Sequence, residues 1–342
     1  MDNLSESIPT CSLPDLIIKF PLKLNKEDSD FDVLLKKRWK VAEELGVLRY
    51  SLNIEAWKVL EGKFGFLAQL NINRGEQRRT PEEIESMDQD FGPTKFNFTK
   101  IKEQEILIDL KDGSGQDVIA INVSPLENYH CLLITRRFDG LPQVVTLESI
   151  KVALKLFVSS QSQYLRLAFN SLCAHASVNH LHWHLYYLEH NMQLEWMDLE
   201  DFVKPVFILR NHPAKAFCIK FSEANKLENL ACWAFLIINH LQNHKIAHNI
   251  YITRGRDGDY GDLRVYIWAR KSFKGIKDTC SFIPAVCELF GHLSIRSKEA
   301  YEDLTEDQVS NILEDITSEC FESVVEDVRK LLNTSLNNLI RN

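Results

Sequence analysis

The stretch Asn179-His180-Leu181-His182-Trp183-His184 decides how the rest of the chain is read. On a β-strand the side-chain period is two, so His180, His182, His184 and Tyr186 project to one face, and Leu181, Trp183, Leu185 and Tyr187 to the other. Each imidazole brings a donor and an acceptor that need partners. Three of the 11 histidines in the chain alternate over five residues, which chance accounts for poorly. A neutral imidazole is a competent nucleophile toward phosphorus and a good leaving group from it. In this reading His182 makes the covalent bond and its neighbours hold phosphate oxygens. Two other readings stay open: a half-buried structural histidine face, and a zinc site in which the H-x-H pair supplies two ligands.

Around this stretch the chain has the size and composition of a folded enzyme. Its 342 residues are 45% hydrophobic and 26% charged, enough for one large or two fused globular units. The net charge of −8 argues against nucleic acid as a partner. Local basic pairs (Arg78-Arg79, Arg136-Arg137, Arg270-Lys271) can still hold a small anion. The eight cysteines are scattered without a C-x-x-C pair, residues 1–20 lack the pattern of a signal peptide, and no apolar run is long enough to span a bilayer. These features imply a reduced, cytoplasmic protein that needs no membrane.

The patterning predicts a lead-in with packing helices over residues 1–60, extended to about residue 30 and helical between Phe31 and Leu60. Strands are expected at Phe64 to Leu70, Lys95 to Lys100, Tyr164 to Phe169 and Asn179 to Leu188, with a proline-turn hairpin between Asp117 and Arg136 and a helix over Leu147 to Phe157. The alternation at 95–100 sets Asn97 and Thr99 opposite Phe96 and Phe98. A second half without the histidines repeats this flavour: strands at Ala216 to Phe221, Ile250 to Thr253 and Leu263 to Ala269, and a helix at Asn225 to Leu241. The divisions fall at residues 61–215, 216–300 and 301–342. The last segment is a helix opened by a Thr305/Gln308 capping box, with Val309, Ile312, Leu313, Ile316 and Cys320 as its buried stripe.

The histidine motif with Asn170-Ser171-Leu172 and Ser177-Val178-Asn179 resembles the histidine triad superfamily of nucleotide hydrolases and transferases. Phe66 to Asn71, Lys95 to Lys100, Asn122-Val123-Ser124-Pro125, Leu141 to Thr146, Tyr186-Tyr187-Leu188 and Cys287 to Leu293 extend the likeness from about Gly65 to Leu304, and there it resembles the GDP-D-glucose phosphorylase family, relatives of the plant GDP-L-galactose phosphorylases. The resemblance implies an α+β fold: histidine-triad-like antiparallel sheets with packed helices, in two fused halves as in galactose-1-phosphate uridylyltransferase-like proteins. It implies a ping-pong transfer, without metal or cofactor, in which His182 takes a guanylyl group from GDP-D-glucose and inorganic phosphate removes it as GDP. The plant enzymes carry Gln where this chain has His184, which favours GDP-D-glucose; Ala176 stands where smaller triad hydrolases have a phosphate-binding Gln.

His180 and His184 are the expected catalytic companions. Asn97, Lys100, Asn170, Ser177, Asn179, Arg74 and Arg254 are the candidate nucleotide and phosphate ligands, with Arg264 a further cation from the second half; His292 reads as structural. The competing functions are a hydrolase of the same fold and a non-catalytic guanine-nucleotide binding protein.

Overall fold

In a computed structural model, residues 8–13, 22–23, 27–257, 260–275 and 282–341 are described. The expected extended lead-in lies largely outside them. The strands are β1 (Leu22–Lys23), β2 (Ala56–Val59), β3 (Leu67–Leu70), β4 (Ile106–Asp109), β5 (Val118–Ile121), β6 (Cys131–Ile134), β7 (Leu165–Asn170), β8 (Trp183–Tyr187), β9 (Glu200–Val203), β10 (Val206–Leu209), β11 (Ala216–Lys220), β12 (His248–Asp257), β13 (Tyr260–Ala269) and β14 (His292–Ile295). The helices are α1 (Asp30–Glu44), α2 (Ile72–Gln77), α3 (Leu147–Ser159), α4 (Phe221–Ala224), α5 (Leu227–Asn243), α6 (Val286–Leu289), α7 (Lys298–Asp303) and α8 (Glu306–Arg341).

One antiparallel sheet runs β4-β5-β6-β8-β7-β12-β13-β11-β10-β9, with β1 against β13. Numbered from its own first strand, each half has the order 1-2-3-5-4, with a helix between its third and fourth strands (α3 and α5), and the two fourth strands, β7 and β12, join the halves. By strand count the seam lies between β8 and β9, ahead of residue 216, because β9 and β10 pair with β11 rather than with the first half.

Strand alternation divides the side chains between two cores. Leu181, Trp183, Leu185 and Tyr187 pack with α1, α3 and α5 on one side of the sheet, and Tyr186 and Leu188 with β3, α6 and β14 on the other. Helix starts follow capping chemistry: Ser29 and Asp32 cap α1 reciprocally, and Thr305 and Gln308 do so for α8. Of the expected stripe on α8, Val309 and Leu313 are fully buried and Ile312, Ile316 and Cys320 partly so.

Three expectations need correction. Residues 95–100 form no strand; Asn97 caps a 3-10 turn (Phe98–Lys100) by accepting from Thr99 N at 3.1 Å, a local bond that competes with extended pairing. Regular pairing in the histidine segment begins only at Trp183. Between Phe31 and Leu60, α1 is the sole helix among the described residues, and Ala56–Val59 is an edge strand of a smaller sheet, β14-β3-β2.

Where β7 meets β12, the buried Glu195 carboxylate meets Arg166 at 2.7 Å and Arg256 at 3.1 Å and accepts from Thr253 Oγ1 at 2.7 Å. Removing the carboxylate strands two buried guanidinium groups. Glu195→Ala is expected to lower stability by about 3–5 kcal/mol, read as a shift of the urea unfolding midpoint.

Candidate active site

The histidine segment approaches β8 through irregular backbone, and side chains replace the missing ladder. Gln143 spans it: its Oε1 accepts from His182 N at 2.9 Å, and its Nε2 donates to His182 O and to Asn170 O, both at 3.0 Å. His182 Nδ1 then donates to the His180 carbonyl at 2.7 Å. A carbonyl can only accept, so the Nδ1–H tautomer is fixed and Nε2 carries the lone pair. Burial pushes His182 down to about 4, which keeps the ring neutral at physiological pH.

His184 is oriented from the neighbouring strand. His130 Nδ1 accepts from Leu126 N at 2.9 Å, so the neutral His130 ring bears its proton on Nε2. That nitrogen lies 3.1 Å from His184 Nδ1 and donates to it, which puts the His184 proton on Nε2. Burial holds His130 well below its ordinary value and so keeps it neutral. Asn122 Nδ2, 3.2 Å from the same His130 nitrogen, is a donor and cannot compete for its proton. His180 is positional: its Nδ1 accepts from Phe98 N at 3.0 Å, its carbonyl orients His182, and burial lowers it to about 4. The Phe98 ring sits against both His180 and His182, at 5.4 and 4.9 Å between centroids.

Two adjoining lobes open beside these rings. The first, about 700 Å³, is walled by Phe98, Ile101, Ile121, Val123, Leu132 and Val178 and reaches His182. The second, about 520 Å³, is more polar and includes Asn170, His175, Glu288, Ser294 and Arg296. Arg74, Arg78, Ser177 and His184 line both. Arg78 is brought down to about 10 by burial and by the charges of Arg296 and Arg74, so the junction concentrates positive charge that no neighbour cancels fully. An apolar slot, a charged junction and a polar pocket suit, in that order, a nucleoside, its phosphates and a polar group beyond them.

Two sequence models of one family cover the chain: the GDPGP1-like N-terminal domain matches residues 30–186 and the GDPGP1-like C-terminal domain residues 188–335. The chain belongs to the GDPGP1-like family. GDP-D-glucose phosphorylase 1 of Homo sapiens is 38% identical over 305 residues, covering 84% of this chain and 79% of the relative. That of Danio rerio is 35% identical over 299 residues, covering 85% and 87%. GDP-L-galactose phosphorylase 2 of Arabidopsis thaliana is 32% identical over 310 residues, covering 82% and 70%. In fold, the chain is similar to yeast Ap4A phosphorylase Apa2, with a TM-score of 0.62 at 13% identity over 84% of this chain and 97% of that one. The boundary between the two family domains falls at Tyr187, the last residue of β8 and just ahead of the seam between β8 and β9.

In this member of the family the residues singled out from sequence separate into two groups. Arg74, Ser177, His182 and His184 meet in the first lobe, and Asn170 enters the second. The others line neither lobe. Asn97 caps its turn, and Lys100 donates to the carbonyls of Thr94 and Lys95. Asn179 is buried, joining Gln143 N to the carbonyls of Gln89 and Asp90. Arg254 donates to the carbonyls of Phe157, Ser160 and Ser162 deep in the first core, and Arg264 to Tyr266 Oη and Glu195 O. His292 is held between Tyr186 Oη and Gln69 Oε1, as its structural reading requires.

Sequence reasoning pointed to Arg78 only through its basic pair with Arg79, and it passed over His130, Gln143, Glu288 and Arg296. Strand alternation gave one usable signal: His130 shares a face with Leu132, which pairs with His184. No local signal marks the others.

Six buried histidines, His130, His180, His182, His212, His248 and His292, are held below 6.5, in each case chiefly by burial. Released on unfolding, the same rings take up protons near pH 6.5. The unfolded chain therefore binds more protons between pH 6.5 and about 4, and stability is lost as pH falls through that window. Each histidine contributes up to about 1.4 kcal/mol per pH unit. Urea unfolding midpoints at pH 7.5, 6.5 and 5.5 are expected to fall steeply in the last interval.

Proposed function

We propose that the chain is a GDP-D-glucose phosphorylase that works as a nucleotidyltransferase, with His182 as the nucleophile. The observation that carries this reading is the fixed Nδ1–H tautomer of a buried, neutral His182 at a cleft whose junction is rich in arginine. The family's named activities supply the substrate class, and His184 in place of the plant Gln supports GDP-D-glucose.

In the first step the lone pair on His182 Nε2 attacks the α-phosphorus. The bond from α-phosphorus to the bridging oxygen breaks, and its electron pair leaves with D-glucose 1-phosphate. The ring, still protonated on Nδ1, becomes an Nε2-guanylyl imidazolium whose charge faces the His180 carbonyl. In the second step an anionic oxygen of inorganic phosphate attacks the same phosphorus. GDP departs, and the phosphorus–nitrogen pair returns to Nε2. The proton on Nδ1 never moves, so a carbonyl rather than a carboxylate suffices as its partner.

Arg74, Arg78 and the His184 Nε2–H face the phosphate oxygens and offset the charge that builds on them in both steps. The apolar first lobe takes guanosine and the polar second lobe takes the departing sugar phosphate, then phosphate. Gln143, His130 and His180 act through the two rings they orient. The free cysteines suit a reducing cytoplasmic setting, and among the described residues no helix is long and apolar enough to cross a membrane.

Intact-mass measurement after mixing with GDP-D-glucose in phosphate-free buffer is expected to show a guanylyl adduct on the wild type and none on His182→Ala. Steady turnover should require added phosphate. A rate indifferent to phosphate would make the chain a hydrolase.

A further inference from the structure

The second lobe contains a group that an anion site does not call for. Glu288, at the third position of α6, is buried, yet it lines the lobe together with Arg74, Arg296, Ser177 and His184. One of its oxygens, Oε2, accepts from Ala285 N at 2.9 Å. Burial raises the carboxyl to about 7, against the lowering by backbone N–H groups, Arg296 and Arg74, so that above this pH it is an anion that can only accept. A bare carboxylate beside a bound oxyanion is repelled unless one proton lies between them.

Inorganic phosphate brings that proton. As the dianion HPO4²⁻ it has one O–H to donate and three oxygens for arginine and histidine donors. Sulfate has the same shape and charge at neutral pH and no O–H. We propose that Glu288 selects the acceptor of the second step by accepting a hydrogen bond from the protonated oxygen of phosphate, so that the lobe takes protonated oxyanions and rejects sulfate. The inference rests on the phosphorylase reading and extends it to the choice of acceptor.

The chemistry is unchanged by the contact. The attacking oxygen is one of the unprotonated ones, the new phosphorus–oxygen bond replaces the bond to His182 Nε2, and the O–H facing Glu288 leaves as the terminal hydroxyl of GDP. Specificity of this kind is the large sort, because the wrong ligand leaves a buried acceptor facing another acceptor.

The test measures phosphate-dependent turnover of GDP-D-glucose at about pH 8, where the Glu288 carboxyl is ionised, with sulfate as competitor, for the wild type and for E288Q. Gln keeps a carbonyl for Ala285 N and adds an N–H that either anion can accept. For the wild type, the inhibition constant for sulfate should exceed the KM for phosphate by about tenfold or more; for E288Q the two should converge, through a rise in the phosphate KM and a fall in the sulfate constant. Wild type that binds sulfate as well as phosphate overturns the proposal without any variant. An E288Q enzyme that keeps the wild-type ratio overturns it as well. Absence of phosphate-dependent turnover in the wild type strikes instead at the phosphorylase reading itself.

Discussion

The hydrogen bond from His182 Nδ1 to the carbonyl two residues earlier is the constraint around which the site is arranged. In a regular strand that carbonyl belongs to the ladder or to solvent. For it to turn back toward its own chain's imidazole, residues 179–182 must leave the sheet, and the backbone polar groups so released need other partners. Gln143 supplies them with one amide that both accepts and donates. Leu141 O takes the N–H of Leu181 at 3.1 Å, and Asn179 is tied down by Gln143 N and Glu82 Oε2. The segment is thus irregular and rigid together, which holds the His182 ring in one tautomer.

The same physics explains what could be read from the sequence. Period-two alternation from Leu181 to Tyr187 requires only that one face be apolar, and it located β8, while the apolar runs on either side of a proline turn located the neighbouring hairpin. Regular strand was overextended to Asn179 because His180 and His182 keep the alternation after the ladder has ended. At 95–100 an equally clean alternation belongs to a turn, since Asn97 satisfies its own backbone locally. Arginines were the hardest residues to place. Arg254, beside Thr253 and Gly255, looks like a phosphate ligand but spends its donors on three main-chain carbonyls, whereas Arg296, which lines the second lobe, gives no local sign of its place there.

The two halves share one strand order, but the alternating histidines stand on the first. In the first half the strand at the fifth position carries His184 and Tyr186 toward the cleft side of the sheet. Its counterpart β13 carries Arg264, Tyr266 and Trp268, of which Tyr266 and Trp268 lie in the core shared with β3 and β14. Large aromatic side chains fill that face, whereas beside His182 and His184 the two lobes open.

The charged junction has a separate origin, in the one parallel pairing found among the described strands. Parallel neighbours end on the same side, so the segments that follow β3 and β14 leave the small sheet together. After β3 the chain turns at Asn71, whose N–H donates to Ile295 O at 2.8 Å and whose side chain caps α2, the helix that carries Arg74 toward Arg78. After β14 comes Arg296, packed so closely on α2 that a Cβ at Gly75 would lie 3.1 Å from the Cβ of Arg296. Arg74 and Arg78 are therefore held beside Arg296, more than two hundred residues away in sequence, by main-chain geometry and against their mutual repulsion. Strand pairing sustains that repulsion. In a chain with a net charge of −8, placing the cations by backbone direction makes a small anion site without making the surface basic.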